Sequence, residues 1–508
     1  MTKFQLKVNM SQQKITYRNP LSKLSVSGNT MNYFPMDITK KSIMVYIVSM
    51  IVVSFFFISH ILPWWLWMFG IISVVMFFWG SNYLTKLWYN TPERKYTQKL
   101  FLWSFVIRAL YVIFIYYFNY EHYGTYHESN EGDITWYVPS AIQIAQEISN
   151  GNFQEVIRIW LGYGIDISDM GYIVYLSILY QLTDNVSDVI LPLILKALYG
   201  AITCAMMYRV AKRHFGEHVG RMTGIFCMLQ ANMIWWCGSM MKETEMIFIM
   251  VCFIHEIDKV LSQGAFKFQN LIIAMLLGLL LFTFRSALGV VAFGSMFVAI
   301  LLTSSKIVSV ATKIITGVIV VVVLSLSYGD KIIDLAQDMK AKVQGGQYQT
   351  TNMEWRTERK DGNQFAKYAG AAVFAPLIFT LPFPNMVYTF QDQEMQMMVS
   401  GGNFEKNILS FFVIMVMLIF LYSGEWRKHV FVIAMLCGYL VALVFSVFAQ
   451  SGRFHMPAIP LELMFAAYGI HIMYKNKMYR RWFNYALALE IVICLAWAWF
   501  KLAGRGLA

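Results

Sequence analysis

The chain has 508 residues, 58% hydrophobic and 14% charged, with a net charge of +12 at pH 7 and a mean hydropathy of +0.51. An ordinary soluble domain is about 45–50% apolar and about 25% charged, so this composition argues against a soluble enzyme, a disordered chain and a disulfide scaffold. What remains is an all-α, polytopic helical membrane protein, and 15 Trp, 29 Tyr and 39 Phe suit a large membrane-interface area.

Residues 1–41 are polar and basic (Lys3, Lys7, Lys14, Arg18, Lys23, Lys40, Lys41). They lack the early apolar core of a cleavable signal peptide and read as a cytoplasmic tail. A bilayer takes about 20 apolar residues per helix. Such runs occupy Ser42–Leu62, Trp64–Leu84 and Leu100–Phe118, then Val186–Tyr208, Val219–Trp236 and Thr244–Val260. Two short runs, Leu271–Phe284 and Ser286–Leu302, are separated by Arg285. Ile315–Tyr328, Ile408–Tyr422, Val430–Phe448, Met456–Tyr474 and Asn484–Phe500 follow, making about thirteen spans. The chain thus divides into a tail (1–41), three helices (42–118), a first outer loop (119–185), a central bundle (186–328), a second outer loop (329–407) and C-terminal helices (408–508).

With the N-terminus inside, Lys and Arg collect in the inner connections: Lys86 to Lys99, Arg209 to Arg221, Lys259 and Lys267, Lys306 and Lys313, Arg427 and Lys428, and Lys475 to Arg481. The short outer connections hold only Lys242, Arg285 and Arg453. This positive-inside separation explains the basic balance without nucleic acid. No internal repeat is visible, which counts against a transporter built from two related halves. The six cysteines lie in or beside apolar runs without metal-ligand spacing and read as small core residues.

Both long connections fall outside. The first opens with Glu121, Glu128, Glu131 and Asp133, then carries helical stretches at Trp136–Asn150 and Phe153–Leu161 and an apolar stretch Tyr172–Leu182. The second is polar through Lys367, apolar with prolines at Ala371–Pro384, then polar again. That apolar stretch reads as a re-entrant or surface-lying segment. Loops longer than about 15 residues tend to carry function or to be disordered.

Five charged residues stand out on this side. Asp133 precedes an amphipathic helix, with Pro139 fitting its first turns, and reads either as a general base or ligand or as an N-cap. Lys242-Glu243 opens a span, either as a phosphate-binding lysine oriented by its neighbour or as a snorkelling pair. Arg285 interrupts an apolar run, where a charge is costly unless paired or wet. Arg453 can hold a phosphate bidentately, and His455 beside it is a donor to phosphate or a structural residue. Arg356, Arg359 and Lys360 form a basic cluster that is equally a solvated face. The composite is a carboxylate with scattered cations at one membrane boundary, which suits an anionic head on a lipid tail.

In layout the chain resembles the C-type (GT-C fold) integral membrane glycosyltransferases, which use polyprenyl- or dolichyl-phosphate sugars. Four features carry the resemblance, in order. Asp133 lies in a long outer loop with Tyr137 and Ala141 on the following helix, and Gly162–Leu182 leads into the next span. Lys242-Glu243 starts a span, and Arg453-Phe454-His455-Met456-Pro457-Ala458-Ile459-Pro460 precedes a late one, like the family's Arg-Tyr-x-x-Pro-x-x-Pro segment. Phe454 replaces the usual Tyr, Glu131-x-Asp133 replaces adjacent acids, and two extra spans precede the loop, where the family usually has one.

The resemblance implies that Asp133 deprotonates the acceptor hydroxyl, with inversion at the anomeric carbon. Arg453, with Arg285 or Lys242, would offset charge on the departing phosphate, and Glu131, Tyr137, Glu243 and His455 would support them. A monophosphate donor needs no cofactor; a pyrophosphate donor would favour magnesium or manganese on Asp133, Glu131 or Glu128. The implied partners are a polyprenyl-phosphate-linked sugar, a glycan, lipid or protein acceptor, and membrane lipids. The implied place is the bacterial inner membrane with the site on its outer face. Lys242-Glu243, Arg285 and the prolines of Phe374–Pro384 are also similar to bacterial polysaccharide polymerases. A lipid-linked sugar flippase is the alternative from another class.

Overall fold

The computed structural model describes residues 34–126, 133–162, 167–183, 190–262, 268–302, 317, 375–388, 398–445, 451–475, 477–504 and 506–507. Residues 1–33 of the tail, Glu128, Glu131, the run Ile315–Tyr328 apart from residue 317, and the basic cluster Arg356, Arg359 and Lys360 lie outside them. Every regular element among the described residues is helical. Among the described residues, six helices are long and apolar enough to cross a membrane: α1 (Met36–Phe56), α2 (Trp64–Leu87), α3 (Glu93–Tyr123), α7 (Ile190–Phe215), α13 (Ser400–Ser423) and, from Met478, α17 (Lys477–Ala503). Large side chains such as Phe55, Trp64, Ile72, Leu110, Leu276 and Tyr485 remain exposed on the perimeter, as a lipid-facing surface requires. The chain is a helical, membrane-embedded protein.

Four shorter elements are also apolar: α11 (Phe268–Phe284), α12 (Ser286–Leu302), α14 (Val430–Phe445) and α16 (Ile459–Lys475). Helices α11 and α12 fold back on each other as a hairpin. Phe282 stacks on Phe293 with centroids 5.7 Å apart, and Gly278 and Gly289 let those rings close in. Arg285 is the residue at the tip, so the apolar run is two helices joined there.

The expected span Val219–Trp236 is broken. Helix α8 (Glu217–Leu229) stops where Gln230 turns extended, and α9 (Ala231–Trp235) starts anew. Gln230 caps α9 by accepting from the Met233 amide at 2.9 Å and donates to the Gly402 carbonyl at 3.1 Å. Buried Arg108 of α3 donates to the Cys227 carbonyl at 2.8 Å and the Met228 carbonyl at 3.3 Å, satisfying the end of α8.

The second loop also ends earlier than its polarity suggests. Ser400–Asn407 is the first part of α13 and is wholly buried. Its polar groups have partners inside the protein: Asn403 accepts from Asn232 at 2.8 Å, Glu405 accepts from the Ala231 amide at 3.1 Å, and Lys406 pairs with Glu462 at 3.2 Å. Lys406 and Asn407 also bind carbonyls of Phe379, Leu381 and Pro382. This fixes a non-helical strap, 381–388, against α13, with the stretch 381–387 buried in protein. Tyr388 and His60 bind each other's carbonyls, tying the strap to the connection between α1 and α2. Residues 381–384 of the proline-rich stretch are therefore interior, the condition under which irregular backbone is tolerated at membrane depth, whereas Pro376 and Leu377 are exposed.

Between the bundle's helices, α4 (Ile134–Ser149), α5 (Phe153–Gly162) and α6 (Ile167–Leu182) make a cap over one end. Ile134, Tyr137, Val138, Ala141, Ile144 and Ala145 form a single buried stripe on α4. Pro139 sits in the second turn of α4 and is accommodated without ending it. Helix α6 packs on α11 and α4, and Gly171 allows the approach, since a Cβ there would stand 2.1 Å from Thr283 Oγ1. Helix α10 (Glu243–Ser262) runs from this capped end to the opposite one. There Asp258 binds Arg213 and His214, while Glu217 binds Lys212 at 2.9 Å and Arg221 at 2.7 Å. Several basic residues of that end are thus paired with acids. All six cysteines are free thiols, five of them buried.

Candidate active site

The five charged residues singled out at the outer connections meet in one cluster at the capped end. Arg453 lies on α15 (Gly452–His455), a single turn just before α16. Its Nη2 is 2.6 Å from Asp133 Oδ2, and its Nε donates to Glu243 Oε1. Glu243 Oε1 also faces Arg285 Nη2 at 3.6 Å. One buried carboxylate oxygen therefore draws two guanidinium groups together, one from the α11–α12 tip and one from α15.

Asp133 occupies the N-cap position of α4, yet its side chain makes no capping bond. It turns to Arg453 instead, so the capping explanation does not account for it. The Tyr137 hydroxyl, one turn on, donates to Asp169 Oδ1 at 2.6 Å and lies 3.3 Å from Asp133 Oδ2. Burial, with Asp169 and Asp133 beside it, pushes the Tyr137 phenol well above its ordinary range, so it stays a donor. Burial works against the charge on Arg453, but Glu243 and Asp133 outweigh it and raise the guanidinium above its ordinary value.

Lys242 and Glu243 do not pair with each other as expected. Lys242 donates to the Ser168 carbonyl at 2.8 Å and pairs with Asp169 of α6. Consecutive residues at a helix start point in different directions, so one faces α6 and the other faces Arg285 and Arg453. Both are buried, which removes the snorkelling explanation. Phe454 completes the floor: the Arg285 guanidinium lies 4.3 Å from its ring centroid and that of Arg453 lies 5.9 Å away. Tyr439 of α14 accepts from Arg285 at 3.2 Å and donates to the Phe454 carbonyl at 2.7 Å. His455 is fully buried below this layer, and its carbonyl accepts from the Ala458 amide at 2.9 Å as the chain turns into α16.

Three carboxylates thus face three cations: Asp133, Asp169 and Glu243 against Lys242, Arg285 and Arg453. Exposure grades them. The Glu243 side chain is 0% exposed and that of Arg453 17%, whereas that of Asp133 is 39%. Asp133 is the most exposed acid of the cluster. Among the described residues no group of three metal-ligating side chains is assembled. Asp133 and Asp169 share the Tyr137 hydroxyl and so lie within about 6 Å of each other. Asp133 Oδ2 contacts Arg453 and Asp169 Oδ1 contacts Lys242, so a hard divalent cation between them would have to displace those partners.

Comparison with protein-family models, characterised proteins and solved structures returns no match. The function is therefore read from the geometry. Asp169 and Tyr439 are the site residues that sequence reasoning passed over, and Phe454, noted there only as a departure from a motif, is the ring against both arginines. Tyr439 was detectable as a lone polar group deep in an apolar run, whereas Asp169 sits among other loop acids and carries no such signal.

Proposed function

We propose that this chain is a membrane glycosyltransferase of the GT-C type. It transfers a sugar from a polyprenyl-phosphate-type donor to a glycan, lipid or protein acceptor at the outer face of the bacterial inner membrane, with its N-terminus cytoplasmic. The observation that carries the proposal is the convergence of Arg285 and Arg453 on Glu243 beside the open carboxylate of Asp133. A phosphate leaving group needs fixed cations, and an acceptor hydroxyl needs a base; the cluster supplies both within one contact shell.

In the reaction, Asp133 takes the proton of the acceptor hydroxyl while that oxygen bonds to the anomeric carbon. The bond from that carbon to the phosphate oxygen breaks on the opposite face, and polyprenyl phosphate leaves with the electron pair. Arg453 and Arg285 meet the added negative charge. A positioned base contributes about 10²–10⁴-fold, and fixed cations at the leaving oxygen are often worth more. Glu243 holds the arginines in place so that little reorganisation is needed. A divalent cation on Asp133 and Asp169, where the donor is a pyrophosphate, would supply further charge neutralisation.

The test is purified protein in detergent with a polyprenyl-phosphate sugar and an acceptor. Asp133→Asn should retain the fold and lose at least about 100-fold in turnover. Full turnover by that variant would refute the assignment. The alternative reading is a surface-polysaccharide repeat-unit polymerase. Product length separates the two, since a polymerase makes a ladder of repeats and a transferase adds one sugar.

A further inference from the structure

We infer that Asp133 is an internal stand-in for the substrate phosphate: it occupies Arg453 in the free protein, and donor binding displaces it and so releases the base. The inference rests on the lipid-phosphate reading above and adds the order of events to it.

Three observations support it. First, an inverting transfer places base and leaving phosphate on opposite faces of the sugar. Here the base touches the phosphate-binding cation, with 2.6 Å between Asp133 Oδ2 and Arg453 Nη2. No sugar can be seated until that contact opens. Second, the two carboxylates on Arg453 differ in how firmly they are held. Glu243 is fully buried at the start of α10 and also faces Arg285, whereas Asp133 is the most exposed member of the cluster, on the residue just before α4. Exposed ion pairs are weak and exchange readily, while removing a partner from a buried pair is costly. The incoming anion therefore replaces Asp133 and leaves Glu243.

Third, the exchange is balanced in charge. The free cluster carries three acids and three bases. A sugar phosphodiester brings a single negative charge, which takes the place of the one Asp133 withdraws. Displaced Asp133 is not adrift, because Tyr137, pinned to Asp169 at 2.6 Å, still lies beside it. The tyrosine then guides the carboxylate toward the acceptor. Ionised and saturated by Arg453, the base is idle; freed by the donor, it is active. Acceptor activation without donor is thereby suppressed.

The inference makes a prediction that a simple catalytic base does not. Removing the charge of Asp133 should tighten binding of a lipid phosphate while it abolishes transfer. The probes are farnesyl phosphate and, as the uncharged control, farnesol, titrated against full-length protein in detergent, with thermal unfolding to confirm folding. Wild type should prefer farnesyl phosphate to farnesol, and Asp133→Asn should bind farnesyl phosphate up to about 5-fold more tightly, the upper end for removing a partly exposed competing charge. Farnesol affinity should not change. The gain should vanish when Arg453→Gln is added, since it acts through Arg453. Equal or weaker binding of farnesyl phosphate by Asp133→Asn overturns the stand-in role and leaves the glycosyltransferase reading intact if wild type still prefers the phosphate. No preference for farnesyl phosphate over farnesol in either protein overturns both.

Discussion

Glu243→Gln probes the centre of the cluster with almost no change in shape. The glutamate is fully buried, contacts Arg453 closely and lies 3.6 Å from Arg285. At an effective dielectric of about 20, a unit charge pair at that separation is worth about 4–5 kcal/mol before desolvation. Burying the three charges costs several kcal/mol per ion, so the net worth of the arrangement is small, but removing one member strands the others. Losing one partner of a buried pair typically costs about 3–5 kcal/mol. Arg453 keeps Asp133, and a glutamine can still accept a hydrogen bond, so the lower end, about 3 kcal/mol, is expected here. The protein provides its own reporter. Cys204, Cys227, Cys237, Cys252 and Cys494 are buried thiols, and a thiol-reactive maleimide dye labels them as the bundle opens. The midpoint for Glu243→Gln should fall by several degrees. Adding Arg453→Gln should cost less than the two single changes together, because the second change removes one of the stranded charges. An unchanged midpoint, or strict additivity of the pair, would refute the view that Glu243 holds the arginines.

Substitutions at three further positions test separate contacts. Tyr137→Phe removes the donor to Asp169; a hydrogen bond to a charged acceptor is worth about 1.5–3 kcal/mol, so the unfolding midpoint should fall accordingly, and turnover should fall with it as Asp133 loses the neighbouring hydroxyl. Phe454→Leu removes the ring under Arg285, and at about 0.5–2 kcal/mol for such a contact should lower transfer roughly 2- to 30-fold, whereas Phe454→Tyr keeps the ring and should stay near wild type. Gly402→Ala places a Cβ 2.1 Å from Asn232 Oδ1 and 2.8 Å from the Asn232 amide nitrogen, which should cost about 1–3 kcal/mol in thermal unfolding by prying α9 from α13.

Much of this was legible because charge is scarce. Asp133, Lys242, Glu243, Arg285 and Arg453 were picked as the few ionisable residues away from the basic connections, and they converge in space. The same logic passed over Arg108, the lone charge in Leu100–Phe118, which satisfies the carbonyls where α8 breaks. It also failed at Ser400–Asn407, whose polarity resembles that of a loop. Hydropathy scores a residue against water, whereas Glu405 and Lys406 are accommodated by the Ala231 amide and by Glu462. Those partners lie far away in the chain, so no local window reveals them. The break at Gln230 was hidden for the same reason, since its side chain both caps α9 and reaches Gly402.

The pairing of Lys242 and Glu243 shows why the cluster needs these two residues side by side. Neighbours in sequence cannot face the same way at a helix start, so a Lys-Glu step is a poor ion pair and a good divider. Lys242 commits to Asp169 and thereby to α6, the helix that carries α4 and Asp133 against the bundle. Glu243 commits to Arg453 and Arg285, on the side built by α15, the α11–α12 tip and Tyr439 of α14. The two halves pack on each other where Gly171 of α6 meets Thr283 and Phe284 of α11, and their charged groups meet where half-exposed Asp133 contacts Arg453. The half that holds Asp133 and the half that holds the arginines are each fixed by a buried charge at the head of α10, and the ion pair linking them is the most exposed of the set. Under the proposed function, a ligand entering there would part Asp133 from Arg453 without disturbing either anchor.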